Sequence, residues 1–203
     1  MLDRYATALL RTPLEATARV LVRCGISANG ITLTGFAIGI FASFLIAIEA
    51  YMAGAIAIFI SRLCDGLDGA VARIKGPTDA GGFLDITLDF LFYACVPLAF
   101  AVANPATNAL AAATLLAAFI GTGSSFLAFA VLAAKRSMTN MRTPDKSFYF
   151  LGGLTEASET LVFFTAMCLW PLHFAALAYV FAGLCVFTIA TRIWWGWKTF
   201  VKQ

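Results

Sequence analysis

The sequence predicts an all-helical integral membrane protein: six transmembrane helices preceded by an amphipathic helix lying on the membrane surface. Three observations carry that prediction. Hydrophobic residues make up 61% of the chain and charged residues only 12%, against about 25% charged in a soluble domain. Six apolar stretches approach the roughly 20 residues that a helix needs to cross the hydrocarbon core. Lysines and arginines gather in alternate connections between those stretches, as the positive-inside rule requires.

Residues 2–23 come first and are too charged to cross. Leu9, Leu10, Leu14, Ala18, Leu21 and Val22 alternate with Arg4, Arg11, Arg19 and Arg23 at roughly helical spacing, which suits a helix in the interfacial plane. The start has no short apolar core followed by a small-residue cleavage site, so it does not read as a signal peptide. The expected spans are 29–49, 52–74, 82–103, 107–134, 155–170 and 172–197, all in a single membrane domain over 1–203. Arg73 and Lys75 close the second span. Lys135, Arg136, Arg142 and Lys146 separate the fourth from the fifth, and Lys198 and Lys202 follow the sixth. The turns near 50, 104–106 and 171 carry no lysine or arginine. Both termini are therefore expected in the cytoplasm. Trp194, Trp195 and Trp197 stand where an aromatic belt would lie at the inner interface. Cys24, Cys64, Cys95, Cys168 and Cys185 form no C-x-x-C pair, so they read as ordinary apolar positions rather than a metal or redox site. The single His173 reads as an interfacial turn residue after Trp170 and Pro171. The net charge of +3 is accounted for by topology, and nucleic-acid binding is not expected.

Four carboxylates do not belong in lipid. Asp65 and Asp68 are i,i+3 on the second span, and Asp85 and Asp89 are i,i+4 on the third, so each pair shares a helix face. The loop between the spans is short, which makes the two helices antiparallel and adjacent. Asp65 lies eight residues from Arg73, and Asp89 eight residues from Gly81. At about 1.5 Å per residue both lie roughly 12 Å deep, so the pairs can face one another. An ionised carboxylate in the membrane costs several kcal/mol unless compensated. Arg73 alone cannot neutralise four, and the face of Arg62 is not readable. Either most are protonated or cations bind. Converging carboxylates suit hard divalent ions, Mg²⁺ or Mn²⁺, and two such ions about 3.5–4 Å apart clamp a phosphoryl group. Gly66, Gly69 and Gly81 remove bulk beside the acids. Close helix packing and room for a ligand both explain them. Arg73 can meet a diphosphate with a two-pronged contact.

The array D-x2-D-G-x2-A-R-x7-G-x3-D-x3-D, through Asp65, Asp68, Gly69, Ala72, Arg73, Gly81, Asp85 and Asp89, resembles the signature of the CDP-alcohol phosphotransferase (phosphatidyltransferase) family, and no signature position departs from it. Gly121-Thr122-Gly123-Ser124-Ser125 and the stretch from Lys146 to Glu156 resemble a small branch of that family in the bacterial inner membrane. The resemblance implies that Asp65, Asp68 and Asp85 ligate two metal ions with Asp89 close to them. It implies that Asp89 is the general base for an acceptor hydroxyl, and that Gly69, Ala72 and Arg73 border a CDP group. Ser27 to Leu33 is similar to the family's T-P-N-x-x-T-L segment but lacks its Thr and Pro. Asn29 and Thr32 are expected at the nucleotide, with a helix N-cap as the plain alternative for Asn29. The implied reaction moves a phosphatidyl group from CDP-diacylglycerol, or a close CDP-lipid, to a small alcohol with release of CMP. The site would open to the cytoplasm.

The acceptor is less legible. Lys135, Arg142 and Lys146 could bind a phosphate or simply set topology. Glu156 and Glu159, at i,i+3 beside Thr155 and Thr160, could hold polyol hydroxyls or an ammonium, or favour a helix N-terminus. The acidic pair ranks a polyol or amino alcohol ahead of a sugar phosphate. Thr122, Ser124 and Ser125 could line a pocket, although small residues there also serve packing. Two other classes stay open: a cation transporter using intramembrane carboxylates, and a catalytically silent membrane scaffold. The transporter gives no reason for Arg73, and idle buried charges count against the scaffold. Exposed apolar helices would permit a homodimer, though no residue specifies its contact.

Overall fold

The computed structural model of the chain describes residues 2–136, 155 and 157–201, and every element among them is helical. They are α1 (Leu2–Arg23), α2 (Ala28–Ala47), α3 (Tyr51–Lys75), α4 (Asp79–Ala103), α5 (Pro105–Lys135), α6 (Ala157–Leu169), a 3₁₀ turn (Pro171–His173) and α7 (Phe174–Val201). Local chemistry sets several of these ends. Ser27 caps α2 by accepting from the Gly30 N–H at 3.1 Å, and Thr78 caps α4 by accepting from the Gly81 N–H at 3.1 Å. The N-cap is thus Ser27 and not Asn29, which lies inside the first turn. Gly76 ends α3 with a φ of 96°, a left-handed backbone that favours glycine. Pro105 opens α5, where its missing N–H costs nothing.

Four of these segments are long and apolar enough to cross a membrane: α2, α4, α5 and the stretch Pro171–Val201. The other two expected spans form helices with a different character. α3 is 25 residues long, but Arg62, Asp65, Asp68, Arg73 and Lys75 break its apolar run. α6 has only 13 residues, about 20 Å of helix.

The bundle is organised by α2. It packs against both α3 and α4, and those two approach each other far less closely than each approaches α2. The expected adjacency of α3 and α4 is corrected in this respect: they are consecutive and linked by a tight turn, but α2 is the element that joins them. The buried face of α2 is small, with Gly35, Gly39, Ala42 and Ser43 all inside. A Cβ at Gly35 would stand 2.8 Å from the Cys64 Cβ, and one at Gly39 would stand 2.6 Å from the Phe92 ring. Glycine at both positions is what lets α3 and α4 come this close. Ser61 seals the α2–α3 contact by donating to the Gly35 carbonyl at 2.7 Å.

On the other side α5 packs against α4 and α7, and α6 lies on α3. The core between them is aromatic. Phe100 stacks on Phe174 with centroids 4.5 Å apart, Phe163 on Phe181 at 4.4 Å, and Phe92, Phe100, Phe164, Phe174 and Phe181 are all fully buried. Large apolar side chains such as Phe41, Phe44, Ile56, Phe59, Leu110 and Ile120 point outward, as lipid-facing positions would. α1 packs on α3: Leu14, Ala18, Leu21 and Val22 cluster with Ile31, Ala70 and Val71, and Ala18 is completely buried. Lys75 ties the end of α3 to the α1–α2 connection by donating to the Ile26 carbonyl at 2.8 Å.

Candidate active site

The separation of α3 from α4 leaves a small cleft lined by Thr32, Gly35, Ser61, Arg62, Asp65, Asp68, Asp85, Leu88 and Asp89. Each helix delivers its acids by the spacing that the sequence shows. Asp65 and Asp68 project from one face of α3, and Asp85 and Asp89 from the facing side of α4. Carboxylate oxygens of Asp65, Asp68 and Asp85 lie within 4.8 Å of one another. Asp68 is only 5% exposed, and its Oδ2 is buried without a hydrogen-bond donor. A buried carboxylate oxygen without a partner is costly. Three carboxylates that close together repel unless a cation or a proton offsets their charge. The donor set is all hard oxygen and therefore fits a divalent ion such as Mg²⁺ or Mn²⁺.

Asp89 lines the same cleft but has a different partner. Its Oδ1 accepts from Arg62 Nη1 at 2.7 Å, and the same nitrogen lies 3.4 Å from Asp65 Oδ1. The Arg62 guanidinium sits over the Phe92 ring at 4.2 Å from its centroid. Arg62 is the cleft residue to which the sequence reading gave no role. The available signal was its position three residues before Asp65, which places both on one helix face.

The glycines divide in role. Gly66 faces α1, where an added Cβ would stand 3.1 Å from Leu14 Cδ1. Gly69 faces Arg73, whose Nη1 would stand 3.4 Å from an added Cβ. Glycine there leaves space for the guanidinium and whatever it meets. Gly81 faces Asn29, whose Oδ1 would be 3.1 Å from an added Cβ. Asn29 therefore sits at the mouth of α4, and Thr32 lines the cleft itself. Arg73 is exposed and Ala72 half-exposed at the end of α3.

Residues 26–194 match the CDP-alcohol phosphatidyltransferase family, and that span contains every aspartate of the cleft. The chain belongs to the CDP-alcohol phosphatidyltransferase family. It is 53% identical over 199 residues to the Escherichia coli inner membrane protein YnjF, covering 98% of this chain and 97% of that one. It is 28% identical to a phosphatidylinositol phosphate synthase of Mycobacteroides abscessus, covering 95% of this chain and 86% of that one. Among solved structures, the phosphatidylinositol phosphate synthase of Mycobacterium tuberculosis with CDP-DAG bound shares the fold. The TM-score is 0.67 at 22% identity, over 91% of this chain and 93% of that chain. The same enzyme in complex with manganese and citrate matches with a TM-score of 0.66 at 23% identity, over 91% and 88%.

The remaining expected positions of this transferase are less gathered. Lys135 is exposed at the end of α5, and Glu159 is half-buried in the first turn of α6. Neither lines the cleft. Arg142, Lys146 and Glu156 lie outside the described residues. Thr122, Ser124 and Ser125 turn their hydroxyls back onto the carbonyls of α5, as small polar residues in an apolar helix commonly do. Arg192 reaches across from α7 to donate to the Thr122 carbonyl at 3.0 Å.

Proposed function

We propose that this transferase moves a phosphatidyl group from CDP-diacylglycerol, or a close CDP-lipid, to the hydroxyl of a small alcohol and releases CMP. The observation that carries the reading is the convergence of Asp65, Asp68 and Asp85 within 4.8 Å, with a buried carboxylate oxygen that has no partner among the described residues. Family membership sets this reading ahead of the cation-transporter and silent-scaffold alternatives.

Asp65, Asp68 and Asp85 would hold two divalent cations, Mg²⁺ or Mn²⁺, with Asp89 at their edge. Bound there, such ions neutralise charge on a diphosphate. The chain's own residues do the rest. Arg73, beside the open face of Gly69 and next to Ala72, pairs with the diphosphate. Asn29 and Thr32 border the nucleotide from α2. Asp89 takes the proton of the acceptor hydroxyl; Arg62 holds its Oδ1, so Oδ2 receives that proton. The alcohol oxygen then forms the bond to the lipid-linked phosphorus as the bond to CMP breaks. The stretch from Asp65 to Asp89 supplies no Ser, Cys or His nucleophile, and the Ser61 hydroxyl that lines the cleft is engaged with the Gly35 carbonyl, which favours direct transfer over a covalent intermediate.

For the acceptor, Glu159 and Glu156 favour a polyol or amino alcohol. The second reading is a phosphorylated polyol, met by Lys135, Arg142 and Lys146. It is favoured by the relative named a phosphatidylinositol phosphate synthase, which this chain matches over 95% of its length.

We read the membrane arrangement as six crossings, α2 to α7, with α1 on the cytoplasmic surface and both termini in the cytoplasm of a bacterial inner membrane. The crossing of α3 is supported by its 25-residue length and its packing along α2, which is itself long and apolar enough to cross. The relative from E. coli is itself described as an inner membrane protein.

The test is CMP release from CDP-diacylglycerol with Mg²⁺ and a panel of alcohols that includes inositol, inositol phosphate and amino alcohols. Metal-dependent release with one acceptor is expected. Asp89→Asn is expected to abolish turnover while CDP-lipid binding stays measurable. Turnover in that variant equal to wild type would remove Asp89 as the base.

A further inference from the structure

Arg62 has no place in the family signature through which the aspartates are read, yet the cleft is built around it. Its side chain is 13% exposed and lies in an apolar helix. An uncompensated cation at that depth is costly, and three features make it tolerable. Nη1 lies 2.7 Å from Asp89 Oδ1 and 3.4 Å from Asp65 Oδ1. Nη2 lies 3.4 Å from Ser61 Oγ. The Phe92 and Tyr93 rings lie 4.2 and 5.7 Å from Cζ, the Phe92 face directly beneath it. The guanidinium therefore spans from an acid of α3 to an acid of α4 and has little freedom to leave.

Two consequences follow. The charged Nη1 donor on Asp89 Oδ1 restrains that carboxylate, whereas Asp68 and Asp85 have no such partner among the described residues. A positive charge lodged at Asp65 also repels any further cation that shares this carboxylate.

We propose that Arg62 is a positioning residue of this site: it orients the Asp89 carboxylate and holds down the affinity of the aspartate cluster for divalent cations. The first half rests on the assignment of Asp89 as base. The second does not and can be read without any reaction.

The experiment uses the full chain purified in detergent, with Arg62→Gln and Arg62→Lys beside wild type. Free Mn²⁺ is followed by electron paramagnetic resonance, with no lipid or nucleotide present. CMP release is measured separately with the acceptor that wild type accepts. Removing the charge in Arg62→Gln is expected to tighten Mn²⁺ binding about tenfold. Arg62→Lys keeps the charge and is expected to bind Mn²⁺ as wild type does. Lysine cannot meet Asp89 and Ser61 from two separate nitrogens as Arg62 does, so kcat should fall in both variants, by about a hundredfold in Arg62→Gln, while KM for the CDP-lipid stays near that of wild type.

A merely structural role would loosen the cluster and weaken Mn²⁺ binding, the opposite sign. Mn²⁺ affinity in Arg62→Gln equal to or weaker than wild type overturns the proposal. If Arg62→Gln does not purify as a single species, Arg62→Lys decides: wild-type kcat in that variant overturns it. If wild type releases no CMP with any alcohol, the reading of the reaction fails, and the Mn²⁺ comparison still judges the effect of Arg62 on the cluster.

Discussion

Asp68 is the acid whose surroundings point most directly to a bound ligand. It is the most buried of the four acids, and one of its oxygens lacks a partner. Among the described residues no donor meets that oxygen, which leaves it open to a ligand from outside. The fit of the surrounding helices is equally exacting. Gly39 on α2 stands where a single methyl group would press on Phe92, at 2.6 Å from Cδ2 and 3.0 Å from Cε2. Phe92 is buried and carries the Arg62 guanidinium on its face, so it has no free direction in which to yield. Gly39→Ala is therefore expected to destabilise the protein by about 1–3 kcal/mol and to lower turnover by displacing Arg62. A lower thermal unfolding midpoint in detergent, together with reduced CMP release, checks this. An unchanged midpoint would mean that Phe92 is less tightly held than its burial indicates.

At the scale of elements, α2 and α1 do work that the motif on α3 and α4 does not reveal. α2 supplies the thin surface against which both acid-bearing helices rest, so the cleft between them stays open. α1 buries Ala18 against Ala70 and Val71 and sets Leu14 over Gly66, one residue from Asp65. The expectation of an amphipathic helix thus gains a specific partner: part of its apolar face meets protein. Ala18→Glu would place a carboxylate in that contact, and a buried unpaired charge costs several kcal/mol. The helix should detach rather than bear it. Hydrogen exchange should then rise across residues 12–23 while α2 and α4 keep their protection. Unchanged exchange in 12–23 would show that α1 is held by something other than this face.

Across the whole molecule, the charge pattern predicts an orientation. The basic residues of α1, the end of α3 and the end of α7 share one side if six segments cross. A fluorescent reporter that matures only in the cytoplasm, fused to the C-terminus, is expected to be bright. A reporter active only outside the cytoplasm, inserted at the Glu49–Ala50 turn, is expected to be active as well. A dark C-terminal fusion would mean an odd number of crossings and would remove α6, the shortest helix, from the count.

By itself the sequence determined the helical class, the membrane setting, the face of each acid pair and the family, because these rest on local quantities: hydropathy, helical periodicity and spacing along one chain. The similar depths of Asp65 and Asp89 let the two acid pairs be set facing one another, while the ligand set Asp65, Asp68 and Asp85 came from the family resemblance. What only the tertiary structure decided depends on rotation and distance between helices. It showed that α3 and α4 rest chiefly on α2, with Arg62 bonded to Asp89 across the cleft. It showed that Ser27 rather than Asn29 caps α2, since a cap depends on where the first turn begins. It also turned Arg62 toward Asp89, 27 residues away. Helical periodicity puts Arg62 on the face of Asp65, but the α4 residue that face meets is set by the packing of both helices on α2.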